Sequence, residues 1–241
     1  RLRAPPDGAP SGCRRDLAAP AGLRCDKLSP VGHESERAAI VEAGLRLHEK
    51  GLVTATEGNI SVRVRDGYLV TASGVSKGRM TPEHVVFIDH EGRQVEGGPA
   101  VSSETRMHAA IYARRPDVQA VIHAHPPTAT AFAVARVRLD APILAESVLV
   151  LGAVPLIPYA TPGTEELASA VAGGLLECHA ALLANHGAVT VGQTLAQAHH
   201  RMETLEHVAR VAFMARLLGG AVELSLLDVE RLMGLTTGPY R

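Results

Sequence analysis

An α/β sandwich on a largely antiparallel sheet is the fold class the sequence predicts, on three observations. Apolar residues recur at helical spacing in several stretches, the first being Ala39, Ile40, Ala43 and Leu47. Ile60, Val62 and Val64 alternate with polar residues ahead of an Asp66-Gly67 turn signal, the pattern of a hairpin. Helical and strand segments then interleave without a clean βαβ rhythm, which favours antiparallel pairing.

The elements follow in order. Residues 1–33 mix Pro, Gly, Arg and Asp with neither period, and are expected to form a flexible arm outside the fold, leaving 34–241 as one domain. A first helix starts near Ser35 and stops at Gly51. The hairpin returns through Tyr68 to Thr71, Thr81-Pro82-Glu83 reads as a helix cap and first turn, and Val85 to Ile88 as a strand. Ser102-Ser103-Glu104 precedes a short helix with Met107, Ala110 and Ile111 on one side. Val118 to Ile122 is a buried strand ending in His123-Ala124-His125-Pro126, and a small-residue helix runs from Thr128 to Ala135. Val154 to Ile157 is strand-like, Thr164 caps a helix to about Leu176, and Ala181 to Leu183 leads into a strand broken at Asn185-His186-Gly187. Thr194 opens the longest helix, which Gly219-Gly220 ends, and Ser225 starts a last one before a polar tail closing on Tyr240-Arg241.

Composition narrows the functional classes. With 241 residues and a hydrophobic fraction of 46%, the chain can bury one large core. Its 24 Lys and Arg against 25 Asp and Glu leave a net charge of -1, so no basic field gathers nucleic acid or an anionic membrane. Aromatic residues are 3% with no Trp, too few for the stacking platforms of single-stranded nucleic-acid binders. The three cysteines, Cys13, Cys25 and Cys178, form no CxxC pair, which fits a reducing cytoplasm. No apolar run approaches the ~18 to 20 residues that span a bilayer.

Two histidines at i and i+2 on a strand project from one face, so His123 and His125 can reach one ion above the sheet. Catalytic zinc sites commonly use three protein ligands and keep a position open, and His186, in a corner after another strand, is the natural third. His199-His200 lie about 100° apart on a helix and read as helix-face residues. Three clusters of small donors, Gly58-Asn59, Ser73-Gly74 and Ser102-Ser103, are each ordinary turn or cap chemistry, or together a site for a dianion such as phosphate. Glu104 either favours a helix dipole or acts as general base beside a metal-polarised ketone. Lys27, Lys50 and Lys77, the only lysines, sit in no evident catalytic context.

From Ser35 to the C-terminus the chain resembles the class II aldolase/adducin superfamily, most closely its L-fuculose-1-phosphate aldolase group, through EGNISVR, TASGVS, SSETRMH, AVIHAHP, IPYATPGTEEL, LLANHG and HHRMETLEHVA in the family's order. The resemblance implies a three-layer α/β/α sandwich with a mainly antiparallel central sheet, and a catalytic domain over residues 34–241. It implies zinc, or Mn2+ or Co2+ in its place, on His123, His125 and His186, with Glu104 as metal-adjacent carboxylate and proton carrier. Phosphate and substrate contacts are implied for Gly58, Asn59, Ser73, Gly74, Ser102 and Ser103. It further implies a homotetramer with active sites between subunits, closed by a C-terminal tyrosine that Tyr240 matches. The implied reaction is reversible cleavage of a ketose 1-phosphate to dihydroxyacetone phosphate and a small aldehyde. Related members act as sugar-phosphate epimerases or decarboxylases, and adducin-like heads serve assembly; retention of all three histidines argues against the last. One departure stands out: APILAESVLVLG lacks the second tyrosine of the fuculose enzymes, leaving Glu146, a water or a different aldehyde to account for its role.

Overall fold

The computed structural model describes residues 33–95 and 98–235. Of the sequence expectations, the arm up to Gly32 and Tyr240 lie outside the described residues. The chain runs α1 (Glu34–Glu49), β1 (Asn59–Val64), β2 (Gly67–Thr71), β3 (Val85–Ile88), α2 (Thr105–Arg114), β4 (Ala120–Ala124), α3 (Pro127–Val134), β5 (Leu156–Ile157), α4 (Glu165–Gly174), β6 (Ala180–Leu183), β7 (Gly187–Gly192), α5 (Leu195–Leu217) and α6 (Leu226–Leu235). Among the described residues, no helix is long and apolar enough to cross a membrane.

The seven strands form one sheet in the order β3-β2-β1-β4-β7-β6-β5. Every neighbouring pair is antiparallel except β5 and β6 at one edge, which run parallel. The sheet is thus mixed, though mainly antiparallel as expected. The exception has a local cause: α4 connects β5 to β6, and a parallel neighbour needs such a crossover, whereas β1–β2 and β6–β7 turn back through short loops.

Alternate residues of the same strands feed two apolar clusters, as the two-residue period of a strand requires. Ile60, Leu69, Ala120, Ile122 and Leu182 join Ile40 and Leu47 of α1, Phe132 of α3, and Met202, Leu205 and Val208 of α5. Val70, Val121, Leu183 and Val189 join Met107 and Ile111 of α2 and Leu167 and Val171 of α4. Strands such as β4 and β6 are buried along their whole length, so their apolar residues read as continuous runs.

Three local expectations shift. The hairpin loop is Arg65-Asp66, with Val64 paired to Gly67. Glycine is required at 67 because a Cβ there would lie 2.1 Å from the Ile88 carbonyl oxygen on β3, not because the turn needs it. Thr81-Pro82-Glu83 opens a single 3-10 turn (Pro82–His84), since β3 begins at the next residue. The segment after the Asn-His-Gly corner is a full strand, β7, and the stretch between α3 and β5 holds one wide helical turn at Ser147–Leu151.

Helix α3 leaves directly after the His125-Pro126 corner, and its start is held from a distance. Glu206 of α5, only 3% exposed, accepts the backbone N–H of Thr128 at 3.0 Å and of Ala129 at 2.9 Å. These are N–H groups that a helix start leaves without intrahelical partners, and a carboxylate also favours the helix dipole. Arg210, one turn along α5, flanks the carboxylate at 3.3 Å. Glu206→Ala should lower unfolding free energy by about 2–4 kcal/mol, because two charge-assisted hydrogen bonds are lost in the interior. Urea unfolding would show this as an earlier midpoint at unchanged slope, whereas an unchanged midpoint would mean that the carboxylate does not anchor α3.

Candidate metal centre

β1 and β4 pair with Asn59 opposite His123, and β4 and β7 pair with His123 opposite Val189. This register brings the Gly58-Asn59 loop end, the histidine pair and the start of β7 to the same end of the sheet. Gly58 has φ of 71° and passes so close to β4 that a Cβ would lie 2.8 Å from the His123 carbonyl oxygen. At the β6–β7 corner, Leu183 pairs with Gly187, so Ala184, Asn185 and His186 form the loop. Asn185 takes φ of 53°, which Asn tolerates better than most residues. Gly187 admits the His125 ring, whose Cδ2 would lie 2.5 Å from an added Cβ. The Asn-His-Gly sequence is therefore what this corner demands.

The i, i+2 pair and His186 converge as expected. His123 is fully buried, and its Nε2 lies 3.1 Å from Nε2 of His125. One nitrogen from each of the three rings falls within 4.8 Å of the others. His123 Nδ1 lies 2.9 Å from the Ala188 carbonyl, an acceptor only, so Nδ1 carries the proton and Nε2 is left with its lone pair. His125 Nδ1 faces Glu57 Oε2 at 3.3 Å, which turns its Nε2 to the same point. Burial first, then the neighbouring His123 charge, pushes His125 down to about 4 against the pull of Glu57, so its ring is neutral at pH 7 and free to donate an electron pair.

Glu104 stands immediately before α2, and its two oxygens face Nε2 of His123 at 3.3 Å and Nε2 of His186 at 3.1 Å. The Asn59 side-chain amide donates to Oε2 at 3.0 Å, and Ser102 Oγ accepts the Glu104 backbone N–H at 3.3 Å. Burial would raise this carboxyl, but hydrogen bonding and charge from His123 and His186 hold it well below the usual carboxylate range. The group is a carboxylate at any physiological pH.

Three imidazoles and a carboxylate aimed at one point suit a divalent cation. Tetrahedral zinc with bonds of ~2.0 to 2.1 Å requires ligand nitrogens about 3.3 Å apart, close to the 3.1 Å between Nε2 of His123 and Nε2 of His125. The Ala188 carbonyl at the remote nitrogen of His123 and the Glu57 carboxylate facing that of His125 are the kind of support that metal-bound histidines ordinarily have.

The small-donor clusters are placed unevenly. Asn59 touches Glu104 directly, and Ser102 holds the Glu104 backbone. A bridge between Ala72 and Val101 sets the exposed Ser73-Gly74 turn beside the strand leading to Ser102, but the Ser73 N–H is already donated to the Ala100 carbonyl at 2.8 Å. Ser103 is exposed and packs against Gly163, where a Cβ would meet its Oγ at 2.9 Å. Glu146 is exposed and lines a cleft with Lys50, Glu203, Glu206, His207 and Arg210, and none of the three histidines lines it. Glu57 is the site residue that sequence reasoning missed. Its Oε1 accepts from Thr54 N at 2.7 Å and Thr54 Oγ1 at 2.8 Å, leaving Oε2 for His125. The signal was present, since Glu57 precedes Asn59 by two and His125 follows His123 by two, but it needs the β1–β4 register to be read.

Fold and site together define an α/β protein with a three-histidine, one-carboxylate centre built to bind a metal. The chain belongs to the class II aldolase and adducin family, whose N-terminal-domain model matches residues 38–213. An L-fuculose phosphate aldolase of Haemophilus influenzae is 34% identical over 80% of this chain and 88% of its own length. A 5-methylthioribulose-1-phosphate/5-deoxyribulose-1-phosphate aldolase of Rhodospirillum rubrum is 38% identical over 82% of this chain and 89% of its own. A solved L-fuculose 1-phosphate aldolase superposes with a TM-score of 0.80 at 32% identity, covering 86% of this chain and 98% of that one.

The purified protein should hold one divalent ion per chain, released by a strong chelator, and His186→Ala should bind zinc at least tenfold more weakly in a competition titration. Equal affinity in the variant would remove His186 from the ligand set.

Proposed function

We propose that the chain is a metal-dependent aldolase that reversibly cleaves a ketose 1-phosphate, of the L-fuculose 1-phosphate kind, to dihydroxyacetone phosphate and a small aldehyde. The observation that carries this is Glu104, an ionised carboxylate in contact with His123, His186 and Asn59 at once. Zinc is the proposed cation, on His123, His125 and His186, and when bound it supplies Lewis acidity to the ketone oxygen.

The residues divide the remaining work. Asn59 and the hydroxyls of Ser73, Ser102 and Ser103, with the backbone at Gly58 and Gly74, receive the phosphate and orient the ketone. As the C3–C4 bond breaks, its electron pair stays with C3 and the C4 hydroxyl loses its proton to give the aldehyde. Glu104, ionised in the resting site, takes up through solvent the proton that the C4 hydroxyl releases and delivers it to C3 to complete dihydroxyacetone phosphate; in synthesis it removes the same proton from C3 and the transfers run in reverse. Relatives named for fuculose phosphate and for 5-deoxyribulose and 5-methylthioribulose 1-phosphates share the phosphate end and differ beyond C4. Residues 141–152 carry no tyrosine to contact that distal part, which favours a partner aldehyde other than that of the fuculose enzymes.

The proposal extends to a three-layer α/β/α domain from residue 34 onward, which the two apolar clusters support. It extends also to a homotetramer with sites between subunits and Tyr240 closing them. Exposed Phe213, Met214, Leu217, Leu218, Leu226 and Leu227 near the ends of α5 and α6 support burial against other copies.

Release of dihydroxyacetone phosphate from fuculose 1-phosphate and from 5-deoxyribulose 1-phosphate, followed beside carbon dioxide release from a sugar-acid phosphate, tests the reaction class. Glu104→Gln should retain zinc yet lose 10²-fold or more in kcat, in the usual range for a proton-transfer group. A Gln variant as active as the parent would take Glu104 out of the proton-carrying role.

A further inference from the structure

We propose that Lys77 is a positioning residue of the metal centre: its buried ammonium clasps the loop carrying Glu57 and balances that carboxylate, which in turn fixes the His125 ring. The inference rests on the reading of His123, His125 and His186 as metal ligands.

Lys77 lies in a one-turn 3-10 helix (Lys77–Arg79) and is only 1% exposed. Its Nζ donates to the Thr56 carbonyl at 3.4 Å and to the Val75 carbonyl at 3.1 Å. Those carbonyls belong to the loop just before Glu57-Gly58-Asn59 and the loop just after Ser73-Gly74, so one side chain ties together two of the segments proposed to line the site. The turn is seated tightly on α1: a Cβ at Gly78 would lie 2.3 Å from the His48 ring, and one at Gly44 would lie 2.4 Å from Met80. Lys77 is therefore held from behind as well.

Two carbonyls can be satisfied by any neutral donor, and a buried cation is an expensive way to do it. The charge is the feature that needs a cause. Burial pushes the ammonium down to about 8, and the one charge that pulls it back up is Glu57. Glu57 is itself directional, with one oxygen held by Thr54 N and Oγ1 and the other turned on His125 Nδ1. A carboxylate on the remote nitrogen of a metal-binding imidazole fixes the tautomer and strengthens the donor nitrogen, and losing such a partner typically weakens metal binding 10–100-fold. Lys77 closes this chain from the protein side: ammonium, loop, carboxylate, imidazole.

The test is a set of zinc titrations against a competing chromophoric chelator, with thermal unfolding of the metal-free protein as the fold control. Glu57→Gln should bind zinc about 10–100-fold more weakly than the parent. Lys77→Met should weaken binding in the same direction, and Lys77→Gln, which keeps a donor for Thr56 and Val75 but not the charge, should do so too. The double variant Glu57→Gln, Lys77→Gln should bind no more weakly than Glu57→Gln alone, because the two act through one ring. Parental zinc affinity in either folded Lys77 variant, or losses that multiply in the double variant, would overturn the proposal. Should the Lys77 variants not fold, the ammonium can be followed directly by lysine side-chain NMR in a chain with three lysines. Glu57→Gln must then lower its titration midpoint, and an unmoved midpoint overturns the coupling. Absence of zinc binding by the parent itself would instead sink the underlying ligand assignment.

Discussion

One register governs the site. Asn59, His123 and Val189 stand abreast across β1, β4 and β7, and each polar contact at the centre follows from that alignment. It brings the Asn59 amide to Glu104, puts the Ala188 carbonyl at His123 Nδ1, and places Glu57 where it meets His125. A slip of one residue would turn His123 toward the side where Ile122 and Ala124 pack with Leu47 and Met202. What prevents the slip is the alternation of the strands themselves. Val121 and Val189 face one apolar cluster while Ala120 and Ile122 face the other, so displacement would trade every buried side chain for one of the wrong shape or polarity.

The second constraint is electrostatic. Ring nitrogens 3.1 Å apart repel unless a proton or a cation lies between them. The Nδ1 proton of His123 is committed to Ala188, and Nδ1 of His125 is turned to Glu57, so lone pairs are what these rings offer to each other. Glu104 adds negative charge at the same point, held ionised against burial. A divalent cation satisfies all of these groups at once, and no other single species available to a protein interior does so as completely. The same arrangement keeps Glu104 close to where charge changes in the proposed reaction, while Asn59 limits the directions in which the carboxylate can turn.

Much of this was legible because it is written in local pattern. The i, i+2 histidines, the Thr164 and Thr194 caps, and the helical spacing of Ile40, Ala43 and Leu47 each depend on residues close in sequence, and each is found as expected. Glu104 was legible for the same reason, standing directly before a helix. What escaped was set by pairing between distant strands. Gly67 was read as a turn residue, but its cause is the approach of Ile88, whose closeness no local pattern encodes. The parallel edge needed recognition that α4 is a crossover. Glu57 looked like a loop carboxylate until the β1–β4 register set it against His125, and Lys77 looked idle because its partners are the backbone of two loops that meet only in the folded chain. At Ser73, a small donor in a turn, pairing takes the backbone N–H for the Ala100 carbonyl and leaves the hydroxyl.

The distribution of chemistry over the site separates two kinds of specificity. Glu104, which faces two of the three rings, Asn59, which holds Glu104, and Glu57, which stands behind the His125 ring, all come from the first half of the chain. None of them is placed to distinguish one aldehyde from another. In the proposed reaction the phosphate is met by amides and hydroxyls, with a buried ammonium behind two of the loops, and such donors serve the shared end of many ketose 1-phosphates alike. Discrimination in the proposed reaction then falls to whatever surrounds C4 and beyond, and the segment 141–152 offers no tyrosine for that part. In the proposed reaction the strand ends select the bond that breaks and a segment outside the sheet selects the molecule that carries it, a division that lets one centre serve varied substrates.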